Sequence, residues 1–515
     1  MHRIRGYLVF LSLLIMFAFS TWGGQPGLTY RVYERDGYRE IEVNTALASY
    51  VFSEDGGALK SVFLNFATYG TNEIELVPGT ETDASNLVRK YVKGAQFPFS
   101  LRQDGQEGKY ILSSHRQLDP DELLVEFTGT IGELSVIKRF TIKNDPYYTI
   151  WADLKIDNST QEAVKLHMSV GDYTPKEKGP ELVYRFDEAT VSALLAKGSY
   201  QTFDGVGLMD KNTVFFLKPT GGEEASPFAE RLPSGNRHFG LLLSAQPGTS
   251  SYSWLLYGGR RRFLLMEEVG VGGLDDPGTM ARMMIPVIQF LGWLYRVTGN
   301  YGWAIILFTI LTRVVLFPIM RKQYHSMAKM QKIQPKLKKL QERFKDDRQL
   351  MQKKLMELYK KEGVNPMGGC LPMFVQLPIL ILLWKAVIYS AEQIHLSPGF
   401  LWLSDLSLRD PYFILVILTT AVMILQQRLM TPMTAGETSG SQKYMGYIFP
   451  LFMAFFLYNF PAGLWLYYLL TTLFQVGQQY FINWEMAVAE EGGEVAAKPA
   501  LDGEQDDDRE GKTGD

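Results

Sequence analysis

Between residues 301 and 483 the chain repeats runs of about twenty apolar residues, the length a bilayer's hydrocarbon core demands of a helix. This constrains the fold more than any other feature. The expected spans are 301–320, 367–390, 412–429, 444–460 and 463–483. The last two are separated by Pro461-Ala462, which leaves almost no loop. None contains an Asp or Glu, yet the first, which includes WAIILFTILTRVVLFPIM (303–320), carries Arg313 in its middle. A lone guanidinium in hydrocarbon costs roughly 3 kcal/mol on insertion scales.

Loop charges orient the spans. Residues 321–365 hold 14 Lys/Arg against 5 Asp/Glu, whereas 391–411 hold Arg409 against Glu392, Asp405 and Asp410. Cytoplasmic loops concentrate Lys and Arg, so the first loop is expected inside and the second outside. The C-terminus then falls in the cytoplasm. At the other end, Arg3 and Arg5 precede the apolar run Tyr7–Trp22, the pattern of an export signal, cleaved or retained as an anchor.

Residues 25–279 read as strands. Alternation runs through LLVEFTG (123–129), LSVIKRFTIK (134–143) and YYTIWADLKID (147–157), with turn residues between. Many short strands with little helical pattern predict a large antiparallel β-sandwich outside the membrane. No spacing of carboxylates there marks a catalytic pair, and six scattered His with the single Cys370 make no metal pattern. With one cysteine the chain has no internal disulfide, which suits a periplasm, where disulfides form but are not required. Residues 280–300 are apolar but interrupted by Arg282, Pro286, Gln289 and Arg296, and predict an amphipathic helix lying on the outer membrane surface.

The 321–365 loop predicts two amphipathic helices. Met327, Met330, Leu337 and Leu340 recur at helical spacing, then Leu350, Leu355, Leu358 and Tyr359. Asp346 or Asp347 suits the cap of the second helix, and Gly363 and Pro366 stop it. Its lysines, including Lys332, Lys336, Lys338, Lys339, Lys353 and Lys354, either enforce topology or dock anionic lipid headgroups or ribosomal RNA. Nothing in the chain reads base edges, so no DNA partner is expected.

Arg313 has company. Thr309 lies one turn earlier on the same face. In the last span Tyr468, Thr472, Gln475 and Gln479 are spaced 4, 3 and 4, one polar stripe along an otherwise apolar helix. Such residues glue helices together or line a wet cavity. Arg313 without an intramembrane acid favours a hydrated, positively charged groove open to the cytoplasm. Ion-coupled carriers use titratable intramembrane acids or histidines, which are absent here. The groove suits passive movement of a polar, acidic segment while an apolar one slides into lipid. The alternative is an anion-selective transporter or channel.

The stretches SMAKMQKIQPKLKKLQERFKDD, LYKKEGVNPMGGCLPMFVQLPI and FPAGLWLYY resemble the YidC-type membrane protein insertase family over about 280–484. The layout of residues 1–279 resembles its Gram-negative form. The resemblance implies six transmembrane helices: a retained signal anchor (1–24) and a five-helix core (301–484). It also implies a periplasmic β-supersandwich (25–279) and a cytoplasmic helical hairpin (321–365). It places the groove arginine on Arg313, its threonine on Thr309 and the paired tyrosines on Tyr467 and Tyr468, the second facing substrate. It implies a non-enzymatic insertase and chaperone of the inner membrane with no cofactor. The implied partners are nascent and newly made membrane proteins, the Sec translocon, the ribosome and membrane lipids. Many relatives carry a basic tail; here 485–515 hold 11 acids and 3 bases, which predicts a disordered acidic tail and leaves ribosome contact to the hairpin.

Overall fold

The computed structural model describes residues 27–173, 179–186, 189–192, 203–233, 235–345, 347–363, 371–430 and 440–497. The expected anchor at 1–24, residues 367–370 of the second expected span and the tail beyond 497 lie outside the described residues. The chain divides into two units. One comprises 1–301 with 385–408, the other 302–384 with 409–515.

The first unit is built of antiparallel strands. A nine-stranded sheet begins with Lys109–Asp119, Glu122–Ile131, Leu134–Lys143 and Thr149–Asn158, then passes through Gly248–Arg260 to strands from 181–222. Two five-stranded sheets accompany it: one from Thr29–Arg35 to Ile74–Glu75, the other centred on Val164–Tyr173 and Arg237–Ala245. The expected β-sandwich is present. Alternation explains its core, because successive side chains of a strand point to opposite faces. In Leu134–Lys143 the inward positions are Leu134, Val136, Lys138, Phe140 and Ile142, all buried. They pack with Phe52, Phe99, Phe127 and Trp254 in one continuous core.

Lys138 is the exception to that apolar face. Its Nζ donates to the carbonyls of Gly56 (2.7 Å), Gly57 (3.3 Å) and Phe99 (2.6 Å) and lies 3.9 Å from the centre of the Tyr110 ring. Gly57 has φ +53°, and a Cβ there would stand 2.9 Å from that ring, so only glycine fits the cage.

Helices α1 (Phe263–Glu268) and α2 (Thr279–Thr298) complete the chain of this unit before Tyr301. On α2, Met284, Ile288, Leu291 and Leu294 are buried, while Met283, Phe290, Trp293 and Val297 form an exposed apolar stripe. Gly299, at φ +68°, ends the helix in a left-handed cap. Residues 385–408 belong to this unit as well: Ala391 is part of the sandwich core, with Leu396 and Leu408 packed against it.

The second unit is helical. Helix α3 spans Tyr301–Arg343 and α4 spans Arg348–Lys361; α5 is Leu371–Tyr389, and the short α6 (Ala391–His395) belongs to the first unit. Helices α7 (Ile414–Met430), α8 (Gly440–Leu457) and α9 (Ala462–Ala497) follow. Two boundaries differ from expectation. The first span and the first hairpin helix are one 43-residue helix, because 321–343 is rich in Lys, Gln, Met and Leu, all good helix formers. The expected disordered tail begins instead as helix: Glu485–Ala497 continues α9, drawn on by its Ala, Glu and Met residues despite Gly492 and Gly493. Among the described residues only Tyr301–Arg321 is both long and apolar enough to cross a membrane by itself. Gln376–Tyr389, Ile414–Arg428 and Ile448–Leu457 are shorter apolar helical stretches.

The αα-hairpin is present. Asp347 caps α4 by accepting the Leu350 N–H, and Ile333 and Leu337 pack against Leu355, Leu358 and Tyr359. Lys336 pairs with Glu362 and Lys354 with Glu357, both at 2.8 Å.

Candidate functional site

Helix α3 sorts its side chains by face. Leu311, Val314, Val315, Phe317 and Ile319 are exposed, while Thr309 and Arg313, one turn apart, are buried, Arg313 to 4% exposure. A cation so enclosed needs a polar counterpart. Helix α5 supplies one. Arg313 Nη2 donates to Gln376 Oε1 at 2.6 Å, and Gln376 Nε2 donates in turn to the Tyr467 hydroxyl on α9 at 2.7 Å. The Phe308 ring lies 6.3 Å from that of Tyr467 and helps enclose the group. Three helices thus meet at a chain of guanidinium, amide and phenol. The amide itself carries no net charge.

The other expected residues have partners of their own. Thr309 shares Arg313's face, but its hydroxyl donates to the Ile305 carbonyl one turn back (2.7 Å), and Thr472 does the same toward Tyr468 (2.8 Å). Such back-bonding satisfies a hydroxyl within its own helix. Gln475 accepts from Gln426 Nε2 on α7 at 2.9 Å, which ties α9 to α7. Gln479 is buried and Tyr468 half-buried. Of the tyrosine pair, Tyr467 is the one joined to the arginine's partner. Gln376 is the residue the sequence reading missed. Its signal was the same as that of Arg313: a strongly polar side chain within the apolar run LPMFVQLPILILLW (371–384).

Among the hairpin lysines, Lys336, Lys339 and Lys353 are exposed and Lys354 half-buried; Lys332 and Lys338 lie on the same length of α3. Arg321 donates to Glu485 at 2.6 Å, joining α3 to α9.

A helical unit with a cation enclosed among polar side chains and one helix long and apolar enough to cross a membrane, in a chain that also folds a large β-sandwich, has the make-up of a membrane protein with a second domain. Comparison with known proteins narrows the class. Residues 293–490 match the family described as 60Kd inner membrane protein. Membrane protein insertase YidC of Syntrophus aciditrophicus is 31% identical over 476 residues, 86% of this chain and 85% of that protein. Its counterpart in Geobacter metallireducens is 34% identical over 475 residues, 88% and 87% of the two chains. The crystal structure of an active YidC insertase with its first transmembrane domain resolved shares the fold. It has a TM-score of 0.53 and 24% identity, and the match covers 93% of this chain and all of that one. The chain belongs to the YidC family of membrane protein insertases.

Proposed function

We propose that this inner-membrane insertase moves its clients along a polar path on which Arg313 is the fixed charge. The activity itself, membrane protein insertion, follows from the family. The observation that supports the path is the buried bond from Arg313 to the neutral amide of Gln376. This amide brings no opposing charge of its own, and an acidic or polar client segment gains by approaching a guanidinium. The client's apolar span then moves into lipid, driven by the hydrophobic effect, and no covalent step or cofactor is needed. Thr309, Tyr467, Tyr468, Thr472, Gln475 and Gln479 are assigned to the same path.

In this reading α3, α5, α7, α8 and α9 are the five core spans and an anchor at 1–24 is a sixth. The β-sandwich is periplasmic, α2 lies at the outer interface, and the hairpin, with the C-terminus, is cytoplasmic. The hairpin lysines receive ribosomes bearing nascent clients, and the protein works alone or beside the Sec translocon. The rival reading, an anion-selective channel, finds no support among the relatives.

The test is insertion of a small single-span protein with a short acidic external tail into liposomes holding the purified chain, read by protease protection. Insertion above empty liposomes, lowered by Arg313→Ala, is expected. No insertion for several clients would overturn the function. Insertion untouched by the substitution would discard the path.

A further inference from the structure

The segment between α5 and α7 is not a free loop. Residues 385–408 are part of the β-sandwich unit, and Ala391 sits in its core. Four polar ties accompany that packing. Asn300 Nδ2 donates to the carbonyls of Pro398 (3.2 Å) and Gly399 (2.9 Å), and the Tyr301 hydroxyl donates to Gln393 (3.2 Å). His395 pairs with Asp405 at 2.7 Å and packs its ring, tilted by 31°, against Phe66, ring centres 4.1 Å apart. The fourth tie is of another kind. Glu392, 1% exposed, accepts the Tyr148 hydroxyl at 3.4 Å and lies 3.6 Å from Arg262 Nε. The Arg262 guanidinium also covers the ring of Tyr389, 5.0 Å away, in the last turn of α5.

This pair is badly made for stability. Its contacts are long, and neither Glu392 Oε2 nor Arg262 Nε has a hydrogen bond. Two charges buried at such distances recover little of what dehydration costs them, and a well-packed apolar pair would hold the segment as firmly. What a buried charge pair supplies that an apolar pair does not is register, since each charge tolerates one seat only. Arg262 stands just after the last long strand, Gly248–Arg260, and reaches both the end of α5 and the start of α6.

We propose that Glu392 and Arg262 are positioning residues for insertion: they form a clasp by which the last part of the β-sandwich fixes the register of the outer end of α5. The clasp rests on the insertase reading for its consequence, though not for its existence.

The experiment uses the full chain in liposomes with Glu392→Gln, Arg262→Gln and the apolar pair Glu392→Leu with Arg262→Met. Two signals are read: protease cleavage within 390–408 and insertion of the single-span client. Each single substitution strands a buried charge. It is expected to raise cleavage and slow insertion by roughly fivefold or more. The apolar pair is expected to restore resistance to cleavage but not the insertion rate. Restoration of both would overturn the proposal, since the clasp would then be support alone. Singles indistinguishable from wild type in both signals would overturn it too. Should Glu392→Gln fail to accumulate, Tyr148→Phe removes one hydroxyl from the same carboxylate and is expected to shift both signals in the same direction; no shift in either counts against the clasp. A wild-type chain that inserts nothing would sink the insertase reading, while the cleavage comparison would still judge the clasp.

Discussion

Arg313 and Gln376 are joined by a buried hydrogen bond of 2.6 Å, a guanidinium donating to a neutral amide rather than to a carboxylate. That choice of partner settles two demands at once. The guanidinium is held in place, and the amide that holds it adds no opposing charge. An acid at the same position would satisfy the first demand and defeat the second.

Substitution of Arg313 therefore separates charge from geometry. Arg313→Ala removes both and leaves the Gln376 carbonyl unpaired in a buried site, a change worth about 1–3 kcal/mol. Insertion of an acidic-tailed client should fall by roughly tenfold or more. Arg313→Lys keeps the charge and one donor, and should lose only a few-fold. Equal losses in the protease-protection assay would show that the planar fork makes bonds that an ammonium cannot replace.

Gln376 should sort clients by their charge. Gln376→Glu places a carboxylate against Arg313 and neutralises it, so acidic-tailed clients should suffer while neutral-tailed ones are nearly spared. Gln376→Leu leaves Arg313 and the Tyr467 hydroxyl without their shared amide, and should slow both kinds alike. The measurement is the ratio of insertion rates for two clients that differ only in tail charge. An unchanged ratio in Gln376→Glu would remove the amide's neutrality from the account.

Much of this architecture was legible because it rests on periodicity. Alternation announced the sandwich, and the 3.6-residue repeat with an acidic cap announced the hairpin, down to Asp347 accepting from Leu350. The arginine was legible as an anomaly of composition. Its partner was not, because a polar residue in an apolar run says that it needs company without saying which helix provides it. The Thr309 and Thr472 hydroxyls share the expected faces, yet they bond backward into their own helices, a choice that spacing does not reveal. Lys138 hid for a related reason: on an alternating strand a lysine at an inward position reads as an error until the carbonyls of Gly56, Gly57 and Phe99 are brought to it from distant segments.

Under the proposed ribosome docking, the hairpin lysines should not contribute equally. Lys336 and Lys354 are each 2.8 Å from a glutamate of the hairpin, which screens them from an incoming phosphate backbone. Lys339 and Lys353 are exposed and carry no such pair among the described contacts. Replacing Lys339 and Lys353 with Gln should weaken co-sedimentation with ribosomes more than replacing Lys336 and Lys354, and should flatten its dependence on salt. Equal effects from the two pairs would mean that the hairpin acts through its total charge.

Asp145 contributes a pH-dependent part to the stability of the β-sandwich. Burial raises its carboxyl to about 6, against the help of the Tyr147 N–H and the nearby Lys143 charge. Between about pH 4 and 6 Asp145 therefore binds more protons in the folded state than in the unfolded one, and its own contribution to stability falls as pH rises through that window. The contribution is fully present below the unfolded value of about 3.9 and is lost above about 6. Asp145→Asn can still accept the Tyr147 N–H at 2.9 Å and removes the proton. It should stabilise the domain at pH 7 by up to roughly 2 kcal/mol, little at pH 4, and flatten the slope between. Amide exchange around 144–148 in the full chain, followed from pH 4 to 7, reads this directly after correction for intrinsic rates. A wild-type slope of the opposite sign, or an undiminished slope in the variant, would place the titrating group elsewhere.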